Sequence, residues 1–353
     1  MKSPRFLIIL VVIVCQGACA KSPATPQPTA TAVEVAKATT PQATPTATAT
    51  SVPPTSTDTP LPPTATDTPL PPTATATPTN TPFLPTETPT REPTRTPIAF
   101  QVDQDIQYGA TQSQLLDVYY QPQTEEAIPT IMLLSGTAML KMYMVSTAEF
   151  FVRRGYAVVT FNKGLGEYPR NEQDSFCALA WVHANAETYN FDTERIVLVG
   201  FSLGGALAAF LGTVDDVGKY MEDCPHALPE EDYISGVVTV AGFFDYALWI
   251  PDSGKDGFIY TYFGPPNQNM ETIREASPVN WVDGSEPPFL LVHGENDTVV
   301  DPNQSVEFEA LLSEAGVDVE LLMLPQLIHD NITTSSKALL RINEFLTNLF
   351  GSD

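Results

Sequence analysis

The sequence predicts an α/β fold with a mostly parallel central sheet and helices on both faces. After residue 98, short apolar runs rich in β-branched residues alternate with longer segments in which apolar residues recur at helical spacing. Strands that alternate with helices are joined by crossover connections, which make neighbouring strands parallel. Because residues 98–353 are numerous enough to bury a substantial core, we expect them to fold as one domain.

The elements follow in order along this domain. Strands are predicted at residues 115–120, 130–135, 156–161, 195–200, 234–241, 288–293 and 317–324. Helices are predicted at residues 143–154, 174–188, 203–213, 303–315 and 334–350. Gly155 and Gly316 stand where helix C-caps are expected.

The segment between residues 241 and 288 is a long insertion rich in aromatic residues. They are Phe243, Phe244, Tyr246, Trp249, Phe258, Tyr260, Tyr262 and Phe263. A lid or pocket wall of this composition would favour an apolar or aromatic-sugar substrate. The alternative is that these residues only pack the insertion onto the sheet.

The clearest chemical motif joins a strand to a helix around Ser202. The buried-strand run 196–199 leads into Gly200-Phe201-Ser202-Leu203-Gly204, a G-x-S-x-G sequence, and a helix-forming run of small residues follows. A serine on such a sharp turn is presented above the sheet, and the flanking glycines leave room for the turn. The alternative is an ordinary glycine-rich turn, but the flanking strand and helix favour Ser202 as a nucleophile.

With this motif the chain, from about residue 115 to the C-terminus, resembles the α/β-hydrolase superfamily. It is most similar to the esterase/lipase branch, which includes feruloyl-esterase-like and hormone-sensitive-lipase-like enzymes. The resemblance implies the α/β-hydrolase fold, in which the aromatic insertion is a candidate lid. It also implies catalytic residues in the chain order Ser, Asp, His.

The resemblance points to Asp297 as the acid. A buried strand runs into His293-Gly294-Glu295-Asn296-Asp297, similar to the segment in which the family places that residue. Asp301 and Asp245 remain reserve acids, although Pro302 and the following helix favour a turn or N-cap role for Asp301. The acid would orient the catalytic imidazole and stabilise its charged form.

The base is found largely by elimination, because the sequence holds four histidines: His183, His226, His293 and His329. His329 follows the last predicted strand, where the family places its base. His183 and His226 are expected to be structural, and His293 is expected to shape the loop that carries the acid.

The oxyanion would be held by backbone N–H groups. Leu203 supplies one donor at the start of the helix. The second comes from the loop after strand 130–135, where related esterases carry H-G-G-G and this chain has Ser135-Gly136-Thr137-Ala138. Gly136, Thr137 and Ala138 are the candidates, and this departure leaves the substrate preference open.

The N-terminus has the pattern of a secretory signal peptide over residues 1–20. Lys2 and Arg5 precede the apolar run 6–14, and small residues follow around Cys19. Cys19 is a candidate for lipidation in a bacterial-type lipoprotein signal. Cleavage without lipidation is the alternative, and an uncleaved membrane anchor is disfavoured because the apolar run is short.

Residues 21–97 form a Thr/Pro-rich segment of low complexity, in which TDTPLPPTA occurs in tandem at 57–65 and 66–74. We expect a disordered, extended linker with a reach of up to roughly 240 Å. A glycosylated stalk is the alternative, because such tracts accept O-linked sugars.

The net charge and the motifs absent from the sequence disfavour several classes of partner and cofactor. The chain has 42 acidic and 17 basic residues and a formal net charge of −25, which disfavours nucleic acid and anionic polymers. Dinucleotide, P-loop and metal motifs are absent from the sequence, so we expect no cofactor and no metal.

Cys177 and Cys224 are a candidate disulfide pair in an oxidising compartment.

Together these features predict an extracytoplasmic serine hydrolase, at the cell surface or secreted, that cleaves carboxylic esters through an acyl-enzyme. The expected partner is a small or medium ester, including sugar- and lipid-linked ones. The membrane would be contacted only through the N-terminal lipid. The alternatives are a serine peptidase of the prolyl-oligopeptidase type and an inactive surface binding module.

Overall fold

The computed structural model describes residues 99–351, except residues 123, 138, 165–167, 231–232 and 250–256. The predicted signal peptide at 1–20, the predicted linker at 21–97, Cys19 and Ala138 therefore lie outside the described residues.

The described strands belong to one sheet. They are β1 (Gln101–Gln107), β2 (Leu115–Tyr120), β3 (Ile128–Leu134), β4 (Ala157–Phe161), β5 (Phe191–Phe201), β6 (Gly236–Val240), β7 (Phe289–Gly294) and β8 (Val319–Leu324). Their order in the sheet is β1-β2-β4-β3-β5-β6-β7-β8. β2 is antiparallel to both β1 and β4, and the remaining neighbours are parallel. The carboxyl ends of β3 to β8 therefore meet at one edge, where α/β sheets hold their ligands.

The helices lie between these strands, except α9, which follows the last one. They are α1 (Val145–Val152), α2 (Arg170–Ala184), α3 (Ala186–Tyr189), α4 (Leu203–Thr213), α5 (Gly218–Met221), α6 (Phe258–Phe263), α7 (Pro266–Ala276), α8 (Asn303–Ala315) and α9 (Ser336–Phe350). Short 3-10 helices lie at Lys141–Met144, Tyr246–Trp249 and Pro278–Asn280. In the part of the chain that the structure describes, no helix is long and apolar enough to cross a membrane.

Buried side chains form one core on each face of the sheet. Along β5, Ile196 and Leu198 belong to one core, and Val197 and Val199 belong to the other. This alternation is the period of two expected for a strand that is buried on both faces. α2, α4 and α8 cover the first face, and α1 and α9 cover the second. The predicted α/β class, with helices on both faces, is confirmed.

Several elements differ from the sequence prediction: β1, α5, α6 and α7 were not predicted, and the predicted helix 174–188 is divided into α2 and α3. β1 was not predicted, because its sequence is mostly polar and it pairs with the sheet only at an edge. α2 begins at Arg170 and not at residue 174, and its first turns bury the polar residues Asn171, Glu172 and Asp174. Such buried polar residues do not contribute to apolar periodicity, so the start of the helix could not be seen in the pattern.

The aromatic insertion packs against the body of the domain. Phe243, Tyr246 and Tyr262 are buried, and the Tyr262 hydroxyl donates to the Glu172 carboxylate, whose oxygens lie 2.9 and 3.0 Å away. These contacts join α6 to α2. A covalent link also holds α2, because Cys177 forms a disulfide bond with Cys224.

Candidate active site

The sharp turn between β5 and α4 presents Ser202 at the carboxyl edge of the sheet. Ser202 has φ 54° and ψ −120°, in a region that non-glycine residues rarely occupy. The glycines on either side are required by space. A Cβ atom on Gly200 would lie 1.9 Å from the Gly204 carbonyl oxygen, and one on Gly204 would lie 2.0 Å from the Leu134 carbonyl oxygen. The G-x-S-x-G sequence therefore lets β5, α4 and β3 approach closely around a strained serine.

Ser202, His329 and Asp297 form a continuous series of hydrogen bonds. His329 Nε2 lies 3.0 Å from Ser202 Oγ, and His329 Nδ1 lies 2.7 Å from Asp297 Oδ2. All three residues are buried, with exposed fractions of 8%, 8% and 7% for Ser202, His329 and Asp297. With its proton on Nδ1, His329 donates to Asp297 and accepts the Ser202 hydroxyl proton. This arrangement can activate a serine for attack on a carbonyl carbon.

The Asp297 carboxylate is held in its charged form. Burial acts to raise its pKa, but hydrogen bonds from His293, His329 and the backbone N–H groups of Val300 and Val299 outweigh that effect. The two backbone N–H groups donate to Oδ1 at 2.8 and 2.9 Å. The pKa of Asp297 therefore lies well below its ordinary value, as the partner of an imidazolium requires.

His293 lies beside this carboxylate, at the end of β7. Its Nε2 is 3.3 Å from Asp297 Oδ2, and its Nδ1 is 2.7 Å from the Ser305 hydroxyl of α8. The sequence suggested that His293 shapes the acid loop, and the structure places it in direct contact with Asp297.

The reserve acids have other partners. Asp301 Oδ1 accepts from the N–H of Asn303 at 2.9 Å, at the start of α8. Asp245 Oδ1 accepts from the N–H of Ala247 at 2.8 Å. Both contacts are local turn contacts, and Asp297 is the acid that His329 contacts in this structure. His183 lies on α2, with its Nε2 3.1 Å from the Tyr233 carbonyl oxygen.

The candidate oxyanion donors lie next to the serine turn. Leu203 directly follows Ser202 at the start of α4. A Cβ on Gly136 would lie 3.2 Å from the Phe201 ring, so the loop after β3 passes beside the residue that precedes Ser202. Thr137 is the next described residue of that loop. The buried Lys163, which the sequence did not single out, contacts the carbonyl oxygens of Ser135 and Gly136.

A cleft of about 490 Å³ lies on the Asp297 side of the site. Phe243, Leu248 and Val299 contribute apolar surface, and Asn303 and Glu307 contribute polar groups. Several exposed large apolar side chains also follow the carboxyl ends of the strands; they are Leu140, Met142, Tyr143, Leu248, Val299 and Ile328. Among the described residues, no group of three or more His, Cys, Asp or Glu side chains could hold a metal ion.

Comparison with known proteins gives a family. The BD-FAE family model matches residues 116–312, which is more than half of the chain. The matched range contains Ser202 and Asp297, while His329 follows it.

Curated relatives match more distantly. Esterase LipC of Mycobacterium tuberculosis is 26% identical over 238 residues, which cover 62% of this chain and 57% of LipC. The acylamino-acid-releasing enzyme of Mus musculus is 29% identical over 141 residues, 40% of this chain and 18% of that enzyme. The chain thus spans little more than half of LipC and a much smaller part of the second relative.

A solved structure shows the same fold. The truncated form of a carbohydrate esterase from gut microbiota superimposes with a TM-score of 0.64 at 24% identity, covering 72% of this chain and 97% of that one. The likeness extends over nearly all of that protein. The sheet order, the serine turn and the family match agree, and the chain belongs to the BD-FAE family, in the esterase branch of the α/β-hydrolase superfamily.

Proposed function

We propose that this protein is an extracytoplasmic serine hydrolase that cleaves carboxylic esters, with Ser202 as nucleophile, His329 as general base and Asp297 as its orienting acid. The observation that carries the proposal is the buried hydrogen-bonded series from Ser202 through His329 to Asp297. Membership of the esterase branch supports it independently.

The reaction follows from the geometry. His329 Nε2 takes the Ser202 proton as Oγ attacks the ester carbonyl, and Asp297 stabilises the imidazolium that forms. Backbone N–H groups of Leu203 and of the loop after β3 receive the developing oxyanion. His329 then protonates the leaving alcohol, and the same residue activates the water that hydrolyses the acyl-enzyme.

We propose a small or medium ester with an apolar portion as the substrate. The exposed apolar side chains at the strand ends and the apolar wall of the cleft favour such a group. The polar groups of the cleft suit a sugar-linked ester equally, and one structural neighbour is described as a carbohydrate esterase. A panel of acyl-chain lengths and acetylated sugars separates these substrates.

The proposed location is outside the cytoplasm. The charged, apolar and small-residue pattern of residues 1–20 supports export, and Cys19 supports a lipid anchor with residues 21–97 as a spacer. Mass spectrometry of the mature N-terminus tests this part: a diacylglyceryl-modified Cys19 is expected, and an intact Met1 would contradict it.

A serine peptidase is the second candidate, because part of the chain matches an acylamino-acid-releasing enzyme. The test is hydrolysis of p-nitrophenyl acetate, butyrate and octanoate beside an acylamino-acid p-nitroanilide, by the mature protein and its Ser202→Ala variant. The proposal requires ester turnover that is lost in the variant. Faster anilide turnover would favour the peptidase, and no turnover of either class would favour a binding module.

A further inference from the structure

The loop that follows β3 lacks the H-G-G-G sequence of related esterases, so other contacts must fix its shape. Lys163, two residues after the end of β4, reaches into this loop and is only 5% exposed. Its Nζ lies 2.7 Å from the Ser135 carbonyl oxygen, 3.0 Å from Ser135 Oγ and 2.7 Å from the Gly136 carbonyl oxygen. Three acceptors match the three protons of an ammonium group.

These contacts fix the direction of two peptide groups. In a trans peptide the carbonyl of one residue and the N–H of the next point in opposite directions. Because the carbonyls of Ser135 and Gly136 both point at Lys163, the N–H groups of Gly136 and Thr137 point away from it. Consecutive N–H groups on one side of the chain form a concave site that suits an anion.

Asn162, which directly precedes Lys163, holds the other end of the loop. Asn162 Oδ1 accepts from the N–H of Lys141 at 2.9 Å, and its carbonyl accepts from the Tyr108 hydroxyl at 2.6 Å. Ser135 Oγ also donates to the Met139 carbonyl at 2.7 Å, across the loop. The turn after β4 therefore holds both ends of the segment 135–141.

The segment is also close to the reacting serine. Gly136 lies beside Phe201, and Gly204 packs against the backbone of Leu134 and Ser135. The fixed peptide groups thus lie at the start of α4, where the oxyanion must form.

We propose that Lys163 is a positioning residue for the oxyanion site: it holds two consecutive carbonyls and so aligns the N–H groups of Gly136 and Thr137 for the transition state. The inference rests on the proposed ester hydrolysis.

The test compares Lys163→Met with the wild-type mature protein. Met keeps an apolar stem of similar length and removes all three donors. We expect kcat for p-nitrophenyl butyrate to fall about 10- to 100-fold with KM within about twofold, because the loss affects the transition state more than the bound substrate. Lys337→Met, which removes an exposed cation on α9, serves as the control.

Affinity for an alkylboronic acid gives a second readout. Its tetrahedral adduct with a serine carries the oxygen that the loop is proposed to hold, so its Kd should rise by about the same factor as kcat falls. If Lys163 had a purely structural role, its substitution would lower the Tm, but kcat and the boronate Kd would not change by the same factor. If Lys163→Met does not fold, Lys163→Gln is used; its side chain is one bond shorter and keeps two of the three donors, so a smaller parallel change in kcat and boronate affinity is expected.

A folded variant whose kcat and boronate affinity both remain within twofold of wild type would overturn the inference. The inference would also be overturned if KM rose and kcat/KM fell by the same factor while the affinity for the boronic acid stayed unchanged. In both cases, ester hydrolysis by the wild-type protein would still support the proposed esterase function. A wild type without ester turnover would remove the proposed function and this inference together.

Discussion

Substitution of Asp297 by Asn should abolish most of the ester hydrolysis, because it changes which ring nitrogen of His329 carries the proton. Oδ1 of Asp297 accepts two backbone N–H bonds, from Val299 and Val300. In Asp297→Asn the amide oxygen must take this position, because the amide nitrogen cannot accept. The amide NH₂ group then faces His329 Nδ1 and donates to it.

The consequence can be estimated from this geometry. A His329 that accepts at Nδ1 carries its proton on Nε2, so it cannot take the proton of Ser202, which lies 3.0 Å away. In serine hydrolases with this arrangement the same change costs a factor of about 10⁴ in kcat, equal to about 5.5 kcal/mol in the barrier. We expect a loss of this order with little change in KM.

The assay is steady-state hydrolysis of p-nitrophenyl butyrate at pH 7–8. Asp301→Asn and Asp245→Asn are the matched controls, because each removes a carboxylate near the site whose hydrogen bonds, among the described residues, are with local backbone N–H groups. Each should retain activity within about threefold. A loss of less than about 100-fold in Asp297→Asn, or a larger loss in either control, would refute the assignment of the acid.

Three further predictions concern stability. Burial raises the pKa of Glu172 from 4.5 to about 7, so the unfolding free energy of the wild type should fall by roughly 3 kcal/mol as the pH rises from 4.5 through 7. In urea titrations the unfolding free energy of Glu172→Gln should not show this pH dependence. The same pH dependence in both proteins would contradict the prediction. Gly204→Ala places a Cβ 2.0 Å from a β3 carbonyl oxygen, so we expect a loss of at least about 1–3 kcal/mol and a lower Tm. In the control Gly218→Ala the new Cβ lies 3.2 Å from the exposed Asp216 carboxylate, which can shift, so this variant should match wild type within about 1 kcal/mol. Replacing Cys177 and Cys224 together by Ala opens a link that spans 47 residues, and should lower the unfolding free energy by about 2–4 kcal/mol in calorimetry; an unchanged Tm would contradict this.

The sequence was most informative where local chemistry and local structure coincide. The G-x-S-x-G turn combines a strand, a sharp turn and a helix within a few residues, and the structure has α4 at the predicted bounds, Leu203–Thr213. His329 and Asp297 are 32 residues apart, and the structure brings them together because β7 and β8 are parallel neighbours. The family resemblance indicated that the acid follows β7 and the base follows β8, and the parallel sheet brings both to one edge.

Lys163 could not be recognised in the same way. A single lysine after a strand is usually solvated, and its contact with Ser135 spans 28 residues between β3 and β4. Its burial depends on the packing of two loops, which no local pattern records. The partnership of Glu172 with Tyr262, 90 residues apart, was hidden for the same reason.

The central claim is that Ser202 is an activated nucleophile, and covalent labelling tests it most directly. The mature protein is incubated with a fluorophosphonate, digested and analysed by mass spectrometry. The account predicts one adduct, on the peptide that contains Ser202, which disappears in Ser202→Ala and forms much more slowly in Asp297→Asn. No adduct, or an adduct on another residue that persists in Ser202→Ala, would contradict it.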